Sequence, residues 1–135
     1  MNAPLEHIRL SQQAKEQLIK VKRLTGIEQW NVLCRWALCA SLAESSPPVS
    51  AKIPADSNLE MTWKVFAGHY QDLLMAILKE RCRKDRLEIN DDVLAMQLKL
   101  HLHRGIGYLA GNKRIRSIST MVSTATSQLA RSRSN

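Results

Sequence analysis

The sequence has 135 residues, with 20 Lys or Arg against 12 Asp or Glu, and therefore a formal net charge of +8 at neutral pH. A chain of this length is expected to form one domain around one core, which excludes an elaborate catalytic architecture. The positive excess favours polyanionic partners, which such proteins bind mainly through phosphate contacts and counterion release.

No secretory signal and no membrane-spanning apolar run is evident in the sequence, so we expect a soluble cytoplasmic protein. Helix-forming residues outnumber β-branched and aromatic ones, which favours a mainly α fold. We predict a compact helical domain over residues 1–111, with at most one or two short extended segments. Residues 112–135 contain no acidic residue and are rich in Ser, Thr, Lys and Arg, as in a basic tail with at most a weak helix.

The N-terminal part predicts a brief strand followed by a helix. His7–Leu10 alternates in polarity, and Ser11 is a favourable N-cap for a helix from Gln12 to about Leu24. One acidic residue, Glu16, opposes four cations in this helix. The four cations are Lys15, Lys20, Lys22 and Arg23. These cations form either an ordinary solvated face or a phosphate-binding surface.

A second predicted helix follows Gly26, and apolar residues lie on both of its sides. Glu28 is expected in its first turn, where a negative charge suits the helix dipole. One face holds Trp30, Leu33, Cys34, Ala37, Leu38 and Ser41, and the other holds Val32, Trp36, Cys39 and Ala40. Such a helix must be buried on more than one side, which suggests a second subunit. Arg35 is a lone cation here and, if buried, needs an acid or a carbonyl partner; we predict a structural ion pair, within the chain or across subunits, rather than a DNA contact.

Residues 45–57 are rich in Ser and Pro and predict a loop. The segment Leu59–Val65 then alternates and is expected to be extended, with its partner strand supplied by the N-terminal segment or by a neighbouring subunit.

A third helix is predicted from His69 to about Asp85. Its apolar arc contains Tyr70, Leu73, Leu74, Ile77 and Leu78. Its C-terminal end is strongly basic, which complements the helix dipole and also suits a polyanion. The cations considered there for DNA contact are Arg81, Arg83, Lys84 and Arg86.

A fourth helix is predicted after the cap residue Asn90. Residues 96–103 alternate with a period of two, but they are mostly helix formers, and helix is the preferred interpretation. Leu94, Leu98 and Leu102 lie on a different face from Val93, Met96 and Leu100, so this helix also is expected to be buried on two sides. The glycine-rich run at 104–111 lacks the βαβ context of a dinucleotide site, and close backbone packing at a helix end or subunit contact is expected instead.

No arrangement of residues predicts a metal, a cofactor or catalysis by this chain. His101 and His103 face opposite ways on a helix and have no third ligand nearby in sequence. Cys34 is expected to be a buried structural residue. Cys82 stands among cations that could lower its pKa and make it reactive.

Three stretches together resemble the DndE family of DNA sulfur modification proteins. They are Lys22–Leu42 (KRLTGIEQWNVLCRWALCASL), Gly68–Cys82 (GHYQDLLMAILKERC) and His101–Ala110 (HLHRGIGYLA). Similar stretches in a similar order extend the likeness over about residues 8–111. The most specific parts are residues 31–35 and 103–109.

The resemblance implies a small helical accessory subunit of the bacterial machinery that places sulfur in the DNA backbone as phosphorothioate. It implies a homotetramer that binds double-stranded DNA, with a preference for nicked duplex, beside sulfur-mobilising and ATPase partners. The basic tail lies outside the match, so the resemblance implies nothing about it. Combined with the net positive charge, the resemblance makes the cationic clusters of the first and third predicted helices the candidate DNA contacts.

Two alternatives remain at this point. A ribbon-helix-helix regulator would pair the strand at His7–Leu10 with its symmetry mate and read the major groove as a dimer. A redox-active sulfur carrier would instead use Cys82.

Overall fold

The N-terminal strand pairs with a distant segment of its own chain. In the computed structural model, which describes residues 6–111, strand β1 (His7–Arg9) is antiparallel to strand β2 (Glu60–Thr62). Ile8 lies opposite Met61, and both side chains are buried. The extended segment therefore finds its partner in the N-terminal segment. Because one edge of β1 is used in this way, the arrangement differs from a ribbon-helix-helix dimer, in which the ribbon forms between two chains.

The second strand is shorter than the sequence predicts, because a helix begins at Trp63. The Thr62 hydroxyl accepts a hydrogen bond from the Val65 amide at 3.1 Å, and this cap starts a short helix, α3 (Trp63–Ala67). The prediction of an extended segment as far as Val65 is therefore wrong beyond Thr62. Trp63 and Phe66 are nevertheless buried, now on one face of a helix.

Helices α1 (Gln12–Thr25) and α2 (Trp30–Leu42) confirm the first two predicted helices. The Ser11 hydroxyl accepts from the Ala14 amide at 3.0 Å, and Gly26 ends α1 with a φ of 76°, a conformation that glycine adopts readily. Helix α2 begins only at Trp30, so Glu28 precedes it and does not lie in its first turn.

A short 3-10 turn (Gly68–Tyr70) leads into helix α4 (Gln71–Lys84). Leu74 and Leu78 are buried, as predicted. The rest of the predicted apolar arc is not covered by residues 6–111, since Tyr70, Leu73 and Ile77 are 52%, 56% and 38% exposed. Three of the five side chains of this arc are therefore exposed in the described part of the chain.

Helix α5 (Asp91–Gly111) is the longest element, and it packs mainly against α2. The Asn90 side chain accepts from the Val93 amide at 2.9 Å and caps α5, as predicted. A Cβ atom on Gly105 would lie 1.7 Å from the Ala37 carbonyl oxygen, so glycine is required where the two backbones meet. The glycine-rich run thus does provide close backbone packing, but it lies within a helix.

The core lies between the two strands and helices α1 to α5. Leu98 and Leu102 of α5 are buried, and so is Leu100, which projects from another side of the same helix. Residues 6–111 therefore cover the first predicted face of α5 and Leu100 of the second, but they leave Met96 49% exposed. No helix within residues 6–111 is long and apolar enough to cross a membrane. The predicted basic tail lies outside the described residues.

Candidate nucleic-acid interface

The four predicted cations of α1 fall into two pairs. Lys20 and Arg23 are exposed and form no ion pair within residues 6–111. Lys15 and Lys22 are half-buried, because Lys15 donates to the Asn58 side chain and the Lys22 ammonium lies 4.7 Å from the centroid of the Trp30 ring. Lys20 and Arg23 are thus the more available pair for phosphate groups.

Arg81 lies inside the fold and is removed from the proposed DNA-contact set. Its side chain is 6% exposed, and its Nε donates to the Asp85 carboxylate at 3.0 Å. The guanidinium also donates to the carbonyl oxygens of Leu42, Glu44 and Ser46, at 3.1, 2.8 and 2.8 Å. Arg81 therefore secures the loop after α2. The basic pattern of the sequence did not distinguish this buried arginine from its exposed neighbours.

Arg83, Lys84 and Arg86 are all exposed at the C-terminal end of α4. The Arg83 guanidinium pairs with Glu80 at 2.6 Å, but both side chains are more than half exposed. Arg86 has a φ of 61°, a left-handed conformation in a position where helices usually carry glycine. The Arg86 amide donates to the Arg83 carbonyl, and the Leu87 amide to the Cys82 carbonyl, which completes a Schellman-type helix end.

Arg35 does not form the predicted ion pair within residues 6–111. Its guanidinium donates to the Phe66 carbonyl oxygen at 2.8 Å and lies 5.8 Å from the centroid of the Tyr70 ring. The side chain therefore has a structural role, as expected, but a carbonyl group takes the place of the acid.

Arg104 is a functional candidate that the sequence reasoning missed. Its guanidinium donates to the Ser41 hydroxyl, the Ser41 carbonyl and the Ser46 carbonyl, at 2.9, 2.8 and 2.9 Å. The Ser46 carbonyl thus receives one hydrogen bond from Arg104 and another from Arg81. The available signal was the position of Arg104 at the start of the glycine-rich run, which the sequence analysis weighs as a dinucleotide site and interprets as close backbone packing.

A buried histidine completes this polar cluster. His101 is fully buried, and its Nδ1 lies 2.8 Å from the Ser41 hydroxyl. Because that hydroxyl accepts from Arg104, it is free to donate to His101. Burial, together with the nearby Arg81 and Arg104 charges, lowers the pKa of His101 to about 4. His101 is therefore neutral at physiological pH.

The pKa of each of the three cysteine thiols is raised, and one of them, Cys39, is exposed. Cys34 is buried, as predicted, and burial raises its pKa to about 12. Cys82 is also buried, and burial, followed by the negative charge of Asp85, raises the pKa of its thiol. The neighbouring Arg81 charge does lower this pKa, as expected, but burial and the Asp85 charge outweigh it. A raised pKa favours the protonated thiol of Cys82, which argues against the sulfur-carrier alternative.

His103 is held apart from His101. Its Nε2 accepts from the Ser11 amide at 3.2 Å, and its Nδ1 lies 2.8 Å from the Lys99 carbonyl. Among residues 6–111, no group of three or more His, Cys, Asp or Glu side chains is arranged to hold a metal ion.

Comparison with known proteins places this fold and sequence in context. The family model described as DNA sulphur modification protein DndE matches residues 7–117. A crystal structure of a glycine-to-lysine mutant of DndE involved in DNA phosphorothioation has a TM-score of 0.62 and 22% identity, covering 79% of this chain and 98% of that chain. The DndE of Escherichia coli B7A, involved in DNA phosphorothioation modification, has a TM-score of 0.65 and 23% identity, covering 77% and 95% of the respective chains. Comparison with curated proteins finds no match.

The structural likenesses, at these identities, show a shared fold. The family model adds the sequence pattern over most of the described helical domain and agrees with the resemblance noted in the three stretches. The chain belongs to the DndE family of DNA sulphur modification proteins.

Proposed function

We propose that this protein is a non-catalytic, DNA-binding subunit of the DNA phosphorothioation machinery, acting on double-stranded DNA beside other sulfur modification proteins. Family membership supports involvement in DNA phosphorothioation. The observation that supports DNA binding is a set of exposed cations on α1 and at the C-terminal end of α4, in a chain of net charge +8. These cations are Lys20, Arg23, Arg83, Lys84 and Arg86.

The chemistry of these residues suits phosphate groups more than base edges. These five side chains are exposed on α1 and at the C-terminal end of α4, where they can contact phosphate groups. Contacts of this kind position a protein on DNA without selecting a sequence. A nicked duplex bends at lower cost than an intact one, so a preference for nicks follows if the basic surface is not straight.

A non-catalytic role agrees with the state of the cysteines. Sulfur transfer requires an accessible thiolate, whereas Cys34 and Cys82 are buried, and the pKa of all three thiols, including that of the exposed Cys39, is raised, mainly by burial. We therefore assign sulfur chemistry to partner proteins of the machinery.

We further propose that the protein is a homo-oligomer, and specifically a tetramer. Tyr70, Leu73 and Ile77 form an apolar strip along α4 that residues 6–111 leave exposed, and Val65 of α3 is 53% exposed. Large apolar residues repeated at helical spacing on one surface are typical of a contact with another protein surface.

DNA binding is tested with intact, nicked and single-stranded DNA of one sequence over a series of salt concentrations. The paired variant Lys20→Ala/Arg23→Ala should weaken binding to unrelated duplexes to a similar extent. Each lost phosphate contact should also reduce the slope of log affinity against log salt by about 0.9.

The matched control is Lys64→Ala/Lys99→Ala, which removes the same charge outside both clusters. It should leave the salt slope close to that of the wild type. Equal losses in both paired variants would contradict this interface, and binding to a single sequence alone would contradict the proposed function. Absence of binding to every DNA would also contradict it.

A further inference from the structure

An open groove between α1 and α5 is not used by the duplex-binding surface described above. Its volume is about 460 Å³, and its walls come from the first half of α1, the C-terminal half of α5 and the loop at 52–56. This size is within the range of pockets that hold small ligands.

Gly107 forms part of the groove wall, and the packing of the chain does not explain it. Among residues 6–111, a Cβ atom on Gly107 would meet nothing within 4 Å, whereas a Cβ on Gly105 would collide with Ala37. Glycine within a helix lowers its stability relative to alanine. Gly105 is required by the contact between α2 and α5, so Gly107 is the glycine that leaves room for a molecule from outside.

A flat ring and a fixed positive charge lie beside Gly107. The Tyr108 side chain lines the groove and is 43% exposed. The Arg104 guanidinium lies 5.7 Å from the centroid of the Tyr108 ring, and its three hydrogen bonds to Ser41 and Ser46 hold it in place. An aromatic ring next to a guanidinium is a common platform for a nucleobase.

The other walls supply groups that suit a nucleotide. Gln13 and Gln17 of α1 offer amide donors and acceptors, and Lys52 offers an exposed ammonium. The carboxylate in the groove, Asp56, already accepts from the Gln12 amide at 2.8 Å. Positive charge therefore exceeds negative charge among the lining side chains, which favours an anionic ligand.

The groove is continuous with the proposed duplex-binding surface. Gln13, Gln17 and Lys20 follow one another along the same face of α1, at intervals of four and three residues. Because Lys20 is exposed at the end of this row, a DNA strand bound there can reach the groove.

We propose that this groove receives one unpaired nucleotide of the bound DNA, with its base against Tyr108 and Gly107 and its phosphate near Lys52. The proposal rests on the proposed function, since it requires DNA to be bound at α1. It adds a reason for a preference for interrupted duplexes, in which a nucleotide at a strand end leaves the stack more easily than one inside an intact helix.

The test compares an intact duplex with the same duplex carrying one unpaired nucleotide, and with a third in which that nucleotide is abasic. The wild-type protein should bind the duplex with the unpaired nucleotide about tenfold more tightly than the intact one, as expected for one stacked base. The abasic duplex should lose this gain, because it keeps the phosphate but lacks the base.

Variants then locate the gain in the groove. Gly107→Leu fills the groove, and Tyr108→Ala removes the ring, so both should abolish the gain while intact-duplex affinity stays at the wild-type level. Tyr108→Phe keeps the ring and should keep the gain. Intact-duplex affinity also reports that each variant is folded, and Gly107→Ala should unfold at a higher temperature than the wild type because its Cβ meets no atom.

Three outcomes would overturn the groove assignment: equal wild-type binding to the first two duplexes, a gain that persists with the abasic duplex, or a gain that survives both Gly107→Leu and Tyr108→Ala. Each of these leaves intact-duplex binding in place. They are therefore distinct from failure of the proposed function, in which no DNA is bound at any salt concentration.

Discussion

Two arginines two positions apart in α4 show how differently a single residue type is used. Arg81 is 6% exposed and binds Asp85 and three carbonyl groups, whereas Arg83 is 63% exposed and binds Glu80 alone. Removal of a buried charged partner leaves the other groups unsatisfied, while an exposed ion pair contributes little.

We therefore predict that Arg81→Ala lowers the free energy of unfolding by about 3 kcal/mol or more. Arg83→Ala should lower it by less than about 0.5 kcal/mol. Urea unfolding of the two variants provides the measurement. Similar losses in the two would contradict the assignment of Arg81 to the structure rather than to DNA.

The histidine beside Arg81 predicts a dependence of stability on pH. The pKa of His101 in the folded protein is about 4, below its ordinary value near 6.5. As the pH falls from about 6.5 to about 4, the unfolded chain gains a proton that the folded chain excludes, so the folded state loses stability. The stabilisation is complete above the upper value, and its loss amounts to about 3 kcal/mol.

Unfolding free energies of the wild type and of His101→Gln, measured across this pH range, isolate this contribution. His101→Gln should show a shallower decline, because glutamine does not titrate and can still accept from Ser41. An identical decline in both proteins would argue against a neutral buried His101.

At the scale of elements, the end of α4 combines an unfavourable backbone conformation with a useful charge. Arg86 occupies the left-handed position that closes the helix, with a φ of 61°. A residue with a Cβ atom is disfavoured there, and glycine is the usual choice. An exposed arginine in this position suggests that its charge contributes to binding.

Arg86→Gly should thus raise the free energy of unfolding by about 0.5–1 kcal/mol and still weaken duplex binding. Arg86→Ala is the matched control, since it removes the same charge but retains the unfavourable conformation. It should weaken binding equally without the gain in stability. Thermal unfolding and duplex titration of both variants test the two effects, and unchanged DNA affinity in both would exclude Arg86 from the interface.

At the scale of the whole molecule, we expect the exposed apolar strip on α4 to hold together the copies of the proposed oligomer. Leu73 and Ile77 are exposed within the described residues and add little to the core of one chain. The double variant Leu73→Ser/Ile77→Ser should therefore dissociate the proposed tetramer and leave the helical content unchanged.

Sedimentation equilibrium at micromolar concentration measures this effect. The control is Ile19→Ser, which replaces a 40%-exposed apolar residue of α1 and should leave the assembly intact. A wild-type protein that sediments as a monomer would refute the oligomer proposal.

The amino-acid sequence by itself determined helices α1, α2, α4 and α5 and several of their ends, but not helix α3. The caps at Ser11 and Asn90 and the break at Gly26 were predicted because each depends on a few neighbouring residues. The three stretches that resemble the DndE family were also legible in the sequence, and the family match confirms them. The length and pairing of β2 were less predictable, since Thr62 can continue a strand or cap a helix equally well.

Only the tertiary structure decided which cations of the same pattern face solvent. Arg81 and Arg83 differ because a loop distant in sequence presents three carbonyl groups to one of them. The same applies to Gly105 and Gly107, of which one meets Ala37 and the other meets open space. Burial arises from contacts between segments far apart in the chain, and periodicity within one helix carries no information about what those segments place opposite each residue.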